Sequence, residues 1–148
     1  MANGKQYKVI IWGLGNVGRA ALIHVLSKKS LQLVAVYDVD PAKVGKDAGE
    51  IFGYEKAGII VTDDREAVLN TEADAVLYYT PQMYDSPIMT QEHLTPTCDE
   101  ICEILSHKKN LITTVCLYHS KKKAPAILTL KDIFRNTETF SLQVPHPA

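Results

Sequence analysis

Three glycines near the N-terminus have the spacing of a phosphate-binding loop. An apolar run leads straight into Gly-x-Gly-x-x-Gly, and a helical pattern follows, in the segment Val9-Ile10-Ile11-Trp12-Gly13-Leu14-Gly15-Asn16-Val17-Gly18. In such a loop the first glycine permits a tight turn, the second lets the backbone approach a pyrophosphate, and the third lets the helix pack closely. The N–H groups and the dipole at the helix start favour phosphate. We therefore predict a dinucleotide-phosphate site at Gly13, Leu14, Gly15, Asn16, Val17 and Gly18.

An acidic residue ends the second apolar run. This run covers residues 31–37, and Asp38 follows it 20 positions after Gly18. A carboxylate at this place accepts hydrogen bonds from both ribose hydroxyls and repels a 2′-phosphate. We predict NAD as the cofactor, with NADP as the second option because Lys43 lies nearby in the sequence and could soften the preference. A glycine turn in another kind of α/β domain would leave the position of Asp38 to coincidence.

The ends of two later strands carry further candidate residues. Thr80-Pro81 follows the fourth apolar run, and with Tyr79 it is expected near the nicotinamide end of the cofactor, although a strand end and a turn would explain the proline equally well. Thr113 and Thr114 end the fifth run at the same edge. They either line the nicotinamide pocket or are β-branched strand residues, and Thr114 is included in the predicted cofactor site.

Other polar side chains give no catalytic pattern. Arg19 is placed to touch a phosphate or to face solvent, and His93 and His119 are expected on loops near the cleft, as polar walls or as surface residues. Cys98 and Cys102 share a face of a predicted helix, where packing thiols are favoured over half a metal site. We predict no metal site and name no catalytic residue.

The remaining elements must bring these residues together. Strands are predicted at residues 7–12, 31–37, 59–61, 73–79 and 111–116, and helices at 17–28, 42–52, 64–69 and 98–108. Asp40-Pro41 and Thr62-Asp63 are the predicted helix starts, and Pro81, Pro87 and Pro96 indicate a loop. This alternation is typical of a Rossmann-type α/β fold, a doubly wound parallel sheet forming one domain, with all strand ends at one edge. A helix at 125–134 and a strand at 139–144 are expected beyond it.

Composition limits the class of protein and of partner. The chain has 148 residues, of which 46% are hydrophobic and 22% charged, enough for one domain with a core. Sixteen basic and 17 acidic side chains give a net charge of −1, which predicts no affinity for nucleic acid or an anionic membrane. The N-terminal segment lacks the apolar centre of a signal peptide, so we expect a cytoplasmic protein.

The same residues resemble a known family. The segment Ile10-Ile11-Trp12-Gly13-Leu14-Gly15-Asn16-Val17-Gly18-Arg19 is similar to the opening of dihydrodipicolinate-reductase-like proteins, with the 2,4-diaminopentanoate dehydrogenase subgroup closest. Pro41-Ala42-Lys43-Val44-Gly45-Lys46-Asp47-Ala48-Gly49-Glu50 is more distinctive than the glycines. The resemblance covers about residues 7–118, which we expect to form the NAD(P)-binding domain, with 119–148 as a poorly matching extension.

The resemblance implies an NAD(P)-dependent oxidoreductase that transfers hydride at a C=N or C–N centre of an amino acid or imine. In the family a second, α+β domain holds the substrate and often forms the oligomer, and we expect the printed chain to lack it. Rapid chemistry needs the substrate held at the hydride, so we expect cofactor binding and not catalysis from this chain alone. A non-catalytic dinucleotide-binding module, such as a redox sensor or partner subunit, and a truncated remnant stay open as alternatives.

Overall fold

The computed structural model describes residues 5–80 and 91–114. Five strands and three helices alternate in this part of the chain. They are β1 (Tyr7–Trp12), α1 (Asn16–Ser27), β2 (Leu31–Tyr37), β3 (Val61–Thr62), α2 (Arg65–Asn70), β4 (Ala75–Tyr78), α3 (Gln91–Ser106) and β5 (Asn110–Thr113), with a short 3₁₀ turn at Glu50–Phe52 before β3.

The strands form one parallel sheet in the order β3-β2-β1-β4-β5. The chain first moves outward from β1 through β2 to β3, then returns to the other side of β1 for β4 and β5. Parallel strands place all their carboxyl ends at one edge, and the reversal of direction opens a crevice between the ends of β1 and its neighbours. The predicted Rossmann-type, doubly wound sheet is therefore confirmed.

Two apolar layers cover the central strand. Val9 and Ile11 of β1 pack toward α1, where they meet Leu22. Ile10 and Trp12 point to the opposite face, where α2 and α3 supply the cluster that includes Val68, Leu69, Ile101, Ile104 and Leu105. Because both faces are covered, the buried part of β1, residues 9–12, is a continuous apolar run rather than an alternating one.

The strand predictions are confirmed in number and order but not in every boundary. β1 and β2 have the predicted bounds. β3 begins at Val61 instead of residue 59, because Ile60 forms an isolated antiparallel bridge with Asp47. β4 is shorter than predicted at both ends. β5 begins one residue early, at Asn110, and residues 115 and 116 of the predicted strand lie outside the described residues.

The helix predicted at 42–52 is wrong. Turns and the 3₁₀ turn occupy this connection between β2 and β3, and the buried carboxylate of Asp47 organises them. Its Oδ1 accepts the N–H groups of Gly49 at 2.8 Å, Ala57 at 2.9 Å and Glu50 at 3.3 Å, and its Oδ2 accepts that of Gly58 at 2.8 Å. These bonds replace helical ones, since a side chain that captures backbone N–H groups competes with helix formation.

The last two helices also differ from prediction. Asp64, rather than Thr62-Asp63, caps α2, because its Oδ1 accepts the N–H of Ala67 at 3.0 Å. The helix α3 begins at Gln91 instead of residue 98, so Pro96 lies in a helix and not in a loop, and it ends at Ser106. Pro87, like the helix at 125–134 and the strand at 139–144, falls outside the described residues. Within the described part of the chain, no helix has the length and apolarity needed to cross a membrane.

Candidate functional site

The glycine loop follows β1 at the sheet edge, and two of its glycines are required by close contacts. Gly13 has a left-handed φ of +93°, and a β-carbon there would lie 2.7 Å from the carbonyl oxygen of Tyr79. A β-carbon on Gly18 would overlap the carbonyl oxygen of Gly13. Gly18 thus lets α1 approach the loop as well as the strand, which extends the packing role predicted for it.

The start of α1 is open. Gly15 is the N-cap residue, and no side chain in the described part of the chain caps this helix. A β-carbon on Gly15 would have no heavy atom within 4 Å. The N–H groups of the first turn have no intrahelical partners, and they face space that a phosphate can occupy. This is the arrangement that the glycine spacing predicts.

Asp38 joins the end of β2 to the glycine loop. Its side chain is buried, its Oδ2 accepts the N–H of Leu14 at 2.6 Å, and its Oδ1 accepts the N–H of Asp40 at 2.8 Å. A carboxylate has about four acceptor positions, so these two hydrogen bonds leave acceptor capacity for a ribose hydroxyl. The structure therefore gives Asp38 a second role that the sequence did not show, as the residue that holds the glycine loop in place.

Lys43 sits beside this carboxylate. Its Nζ lies 3.5 Å from Oδ2 of Asp38 and 3.1 Å from Oδ2 of Asp40. The N–H of Ala42 and the ammonium of Lys43 hold the pKa of Asp40 below its ordinary value. Two carboxylates and one ammonium thus leave a single negative charge at this end of the site.

A cleft of about 920 Å³ collects most of the predicted residues. It is lined from the glycine loop, from the end of β2, from the ends of β4 and β5, and from α3, by Gly13, Leu14, Gly15, Asn16, Val17, Tyr37, Asp38, Val39, Asp40, Lys43, Tyr79, Thr80, Glu100 and Thr114. Gly18 is buried beneath the loop rather than in the wall. Pro81 lies outside the described residues, as does His119.

The far end of the cleft is formed by Tyr79, Thr80 and Thr114. The N–H of Tyr79 donates to the carbonyl oxygen of Trp12 at 2.7 Å, which ties the end of β4 to the end of β1. Burial raises the pKa of the Tyr79 phenol. Thr114 directly follows β5 and is exposed. These residues are grouped as predicted, on the side away from Asp38.

Arg19 does not line the cleft. Its guanidinium donates to the Tyr54 hydroxyl at 3.0 Å and lies 5.2 Å from the ring centre of Phe52. This contact favours the interpretation of Arg19 as a surface residue over its interpretation as a phosphate-binding residue. His93 lies within α3 instead of on a loop.

Sequence reasoning missed the wall formed by Tyr37 and Glu100. Tyr37 packs against Trp12 with ring centres 4.2 Å apart. Glu100 of α3 accepts the hydroxyl hydrogen of Tyr78, and its Oε1 lies 3.6 Å from Nη1 of Arg65. Burial, and next the charge of Glu100, raise the pKa of Tyr37. Tyr37 directly precedes Asp38, so its position in the sequence indicated a place in the cleft. No feature of the sequence indicated such a place for Glu100.

Known proteins share this loop and this fold. Residues 7–94 match the family model described as dihydrodipicolinate reductase, N-terminus. The chain belongs to this family. The finding confirms the family resemblance, while the diaminopentanoate dehydrogenase subgroup remains a prediction.

Two known proteins are similar to part of this chain. An amine dehydrogenase of Streptomyces virginiae is 49% identical over 70 residues, which are 47% of this chain and 19% of that protein. The redox-sensing transcriptional repressor Rex 1 of Thermotoga maritima is 38% identical over 45 residues, 30% of this chain and 22% of that protein. The matched segments thus span about a fifth of the length of each relative.

Solved structures agree on the fold. Myo-inositol 2-dehydrogenase from Lactobacillus plantarum has a TM-score of 0.61 at 16% identity, covering 88% of this chain and 33% of that one. Amine dehydrogenase from Mycobacterium smegmatis has a TM-score of 0.59 at 22% identity, covering 76% and 31%. Scyllo-inositol dehydrogenase from Lactobacillus casei, solved with bound NAD(H) and scyllo-inositol, has a TM-score of 0.52 at 20% identity, covering 74% and 28%. The family and the fold are those of pyridine-nucleotide-binding domains.

Proposed function

We propose that this chain is the nicotinamide-dinucleotide-binding part of an oxidoreductase and that it prefers NAD. The observation that carries the proposal is the single cleft that combines an uncapped helix start with the buried carboxylate of Asp38. The helix start binds the pyrophosphate, and Asp38 binds the adenosine ribose. Because Asp38 also holds Leu14 in the glycine loop, the two binding elements keep a fixed spacing.

Each predicted residue has a part in this binding. The pyrophosphate lies against the loop formed by Gly13, Leu14, Gly15, Asn16, Val17 and Gly18. It accepts N–H groups from the uncapped first turn of α1, since those of Gly13 and Leu14 already donate to Tyr37 and Asp38. The nicotinamide half lies against Tyr79, Thr80, Pro81 and Thr114. Asp38 and Asp40 both line the ribose end, so a 2′-phosphate meets two carboxylates there. Lys43 offsets part of this repulsion, and this supports a preference for NAD without excluding NADP.

The reaction we propose is hydride transfer at a C=N or C–N centre. A bound reduced nicotinamide would supply the hydride for the imine carbon and would itself become oxidised, and a proton would be needed at the imine nitrogen. Oxidative deamination begins with the reverse step. Similarity to the Streptomyces virginiae amine dehydrogenase supports an amine or amino-acid substrate, with the diamino acids of the diaminopentanoate dehydrogenase subgroup as the first to assay.

This chemistry needs a substrate-binding domain. We propose that residues 1–118 form the cofactor-binding domain, that 119–148 are an extension, and that the catalytic residues lie in an α+β domain or partner subunit. A homo-oligomer fits this plan. Genomic DNA following the last codon tests it: an in-frame or adjacent coding segment for such a domain supports an enzyme, and its absence favours a binding module.

Calorimetric titration with NADH and NADPH tests cofactor binding. We expect NADH to bind more tightly than NADPH. Asp38→Asn removes the charge at the ribose and should weaken NADH binding about tenfold, since hydrogen bonds to charged groups contribute about 1.5–3 kcal/mol, while NADPH binding changes less. Asp63→Asn removes the same charge from a nearby exposed residue outside the cleft and is the matched control. Absence of binding by either dinucleotide at millimolar concentration contradicts the proposal.

A second candidate function is a non-catalytic redox sensor. Similarity to the Thermotoga maritima repressor over 45 residues supports it, since that protein is described as redox-sensing. A sensor must distinguish the two redox states, so NADH and NAD⁺ should differ in affinity by about a hundredfold, or about 2.8 kcal/mol. Turnover of diamino acids or cyclic imines in the presence of a substrate-binding domain favours the enzyme instead.

A further inference from the structure

One carboxylate in the cleft wall has no role in phosphate or ribose binding. Glu100 comes from α3, on the face of the sheet opposite α1, yet it lines the same cleft as the glycine loop and Asp38. Its side chain is 17% exposed, so it is shielded but reachable from the cleft. The other two acids in this wall, Asp38 and Asp40, both belong to the end of β2.

The position of this carboxylate is fixed from behind. The buried hydroxyl of Tyr78 donates to Oε2 of Glu100, and the guanidinium of Arg65 approaches Oε1. Burial, and next the hydrogen bond to Glu100, raise the pKa of Tyr78, so the phenol remains a donor at neutral pH. Arg65 also pairs with Glu103, so one guanidinium serves two carboxylates. One positive charge therefore faces two carboxylates, and Glu100 keeps oxygen lone pairs that neither Tyr78 nor Arg65 uses.

Glu100 lies on the adenosine side of the cleft. Tyr37 packs against the apolar cluster to which α3 contributes Ile101, and Tyr37 and Glu100 line the same cleft. Tyr37 directly precedes Asp38. If Asp38 holds the adenosine ribose, the base attached to that ribose reaches the wall made by Tyr37, Val39 and Glu100. Phosphate is an unsuitable neighbour for a carboxylate, whereas a base edge that carries N–H donors is a suitable one.

We propose that Glu100 accepts a hydrogen bond from the exocyclic amine of adenine and so selects an adenine dinucleotide. This inference rests on the proposed function, because Asp38 must first place the ribose. A carboxylate is an acceptor only. Hypoxanthine, which carries a carbonyl oxygen where adenine carries the amine, presents an acceptor to this acceptor and is rejected.

Nicotinamide hypoxanthine dinucleotide, in its reduced form, is the direct probe. Calorimetric titration of the full 148-residue chain with this compound and with NADH should show NADH binding roughly tenfold more tightly, the effect of one charge-assisted hydrogen bond. In Glu100→Gln the preference should fall to within about twofold, because a glutamine amide can turn to donate or accept. This comparison of two ligands by the unaltered chain needs no variant that folds.

Glu103→Gln is the matched control. It removes a second carboxylate that pairs with the same Arg65 but is not part of the cleft wall, and it should keep the full preference for NADH. Equal binding of the two dinucleotides by the unaltered chain overturns the inference, as does an unchanged preference in Glu100→Gln. It is also overturned if Glu100→Gln weakens both ligands equally, which assigns the carboxyl a structural role only. Failure of the unaltered chain to bind either compound overturns the proposed function itself.

Discussion

The connections that follow the neighbouring strands β1 and β2 lie on the same side of the sheet. They differ in whether the chain itself supplies acceptors for their backbone N–H groups. The connection from β2 to β3 surrounds Asp47, whose carboxylate accepts four N–H groups. The glycine loop after β1 donates the N–H of Leu14 to the carboxylate of Asp38, and it leaves the start of α1 without a side-chain cap. One set of donors is thus satisfied by the chain itself, and the other is available to an anion.

The two helix starts repeat this contrast. Asp64 caps α2 with its own carboxylate, whereas Gly15 offers α1 no side chain. A side-chain cap stabilises a helix by roughly a few tenths of a kcal/mol relative to a glycine at the same position, and the start of α1 lacks this contribution. A group of backbone N–H donors that a carboxylate of the same chain already satisfies has a structural role. A group of unsatisfied N–H donors that lines a cleft is the better candidate for binding a ligand.

The largest expected effect comes from closing the glycine loop. Gly18→Ala places a methyl group on the carbonyl oxygen of Gly13, and overpacking of this kind costs about 3 kcal/mol. Denaturant unfolding followed by circular dichroism measures the loss. Gly15→Ala is the control, since it adds the same methyl group to the same loop in open space. It should leave the free energy of unfolding unchanged and weaken NADH binding. Equal destabilisation by both changes would contradict the close approach at Gly18.

The next effect tests the filled connection. Asp47→Asn replaces a carboxylate, whose two oxygens both accept N–H groups, by an amide that has only one acceptor oxygen. We expect a loss of about 2 kcal/mol in the free energy of unfolding, because buried N–H groups are left without an acceptor. Denaturant titration at neutral pH measures the change, and NADH affinity should be retained by the folded fraction. A neutral effect on stability would show that the four N–H groups find other partners.

The same carboxylate gives stability a defined pH dependence. Burial raises the pKa of Asp47, but the N–H groups of Ala57, Gly49, Glu50 and Gly58 outweigh it and lower the pKa below its ordinary value of 3.8. A lowered pKa contributes stability above the unfolded value and loses it as pH falls through the folded value. The difference in unfolding free energy between the unaltered chain and Asp47→Asn should therefore be full at pH 7 and shrink below about pH 4. A difference that does not depend on pH would exclude the charge as its cause.

The smallest effects come from exchanging the two helix starts. Asp64→Ala should cost about 1 kcal/mol and leave NADH binding unchanged. Gly15→Asp should cap α1 and add about 0.5 kcal/mol of stability, through the cap and the helix dipole. It should also reduce NADH affinity more than tenfold, since a carboxylate then occupies the phosphate position. Unfolding curves and calorimetry together measure the opposite signs, and unchanged NADH affinity in Gly15→Asp would contradict a phosphate at this helix.

The sequence predicts best where local pattern and final contacts coincide. The strands β1 and β2 have their predicted bounds because each contains a continuous apolar run, residues 9–12 and 33–37, as strands covered on both faces do. The helix predicted after β2 was wrong because its periodicity gave no sign of the hydrogen bonds that Asp47 makes. Asp47 accepts the N–H groups of Ala57 and Gly58, which lie ten and eleven residues further along the chain. The start of α3 was missed because Pro96 was interpreted as a loop signal.

The candidate site divides in the same way. The glycines and Asp38 were found because their spacing is itself the chemical requirement. Glu100 was not found, since it reaches the cleft from a helix far along the chain and depends on Tyr78 and Arg65 for its orientation. The order of the strands in the sheet decides which carboxylates line the cleft together. No single segment of the sequence determines that order.

Trp12 gives the domain an optical readout of its own. It is the chain's single tryptophan, it is fully buried, and it packs against the tilted ring of Tyr37, a residue that lines the cleft. Indole emits at wavelengths that reduced nicotinamide absorbs, so a bound reduced dinucleotide should quench this residue by energy transfer while the oxidised form should not. The natural sequence therefore carries a fluorophore that reports cofactor occupancy and redox state without any added label.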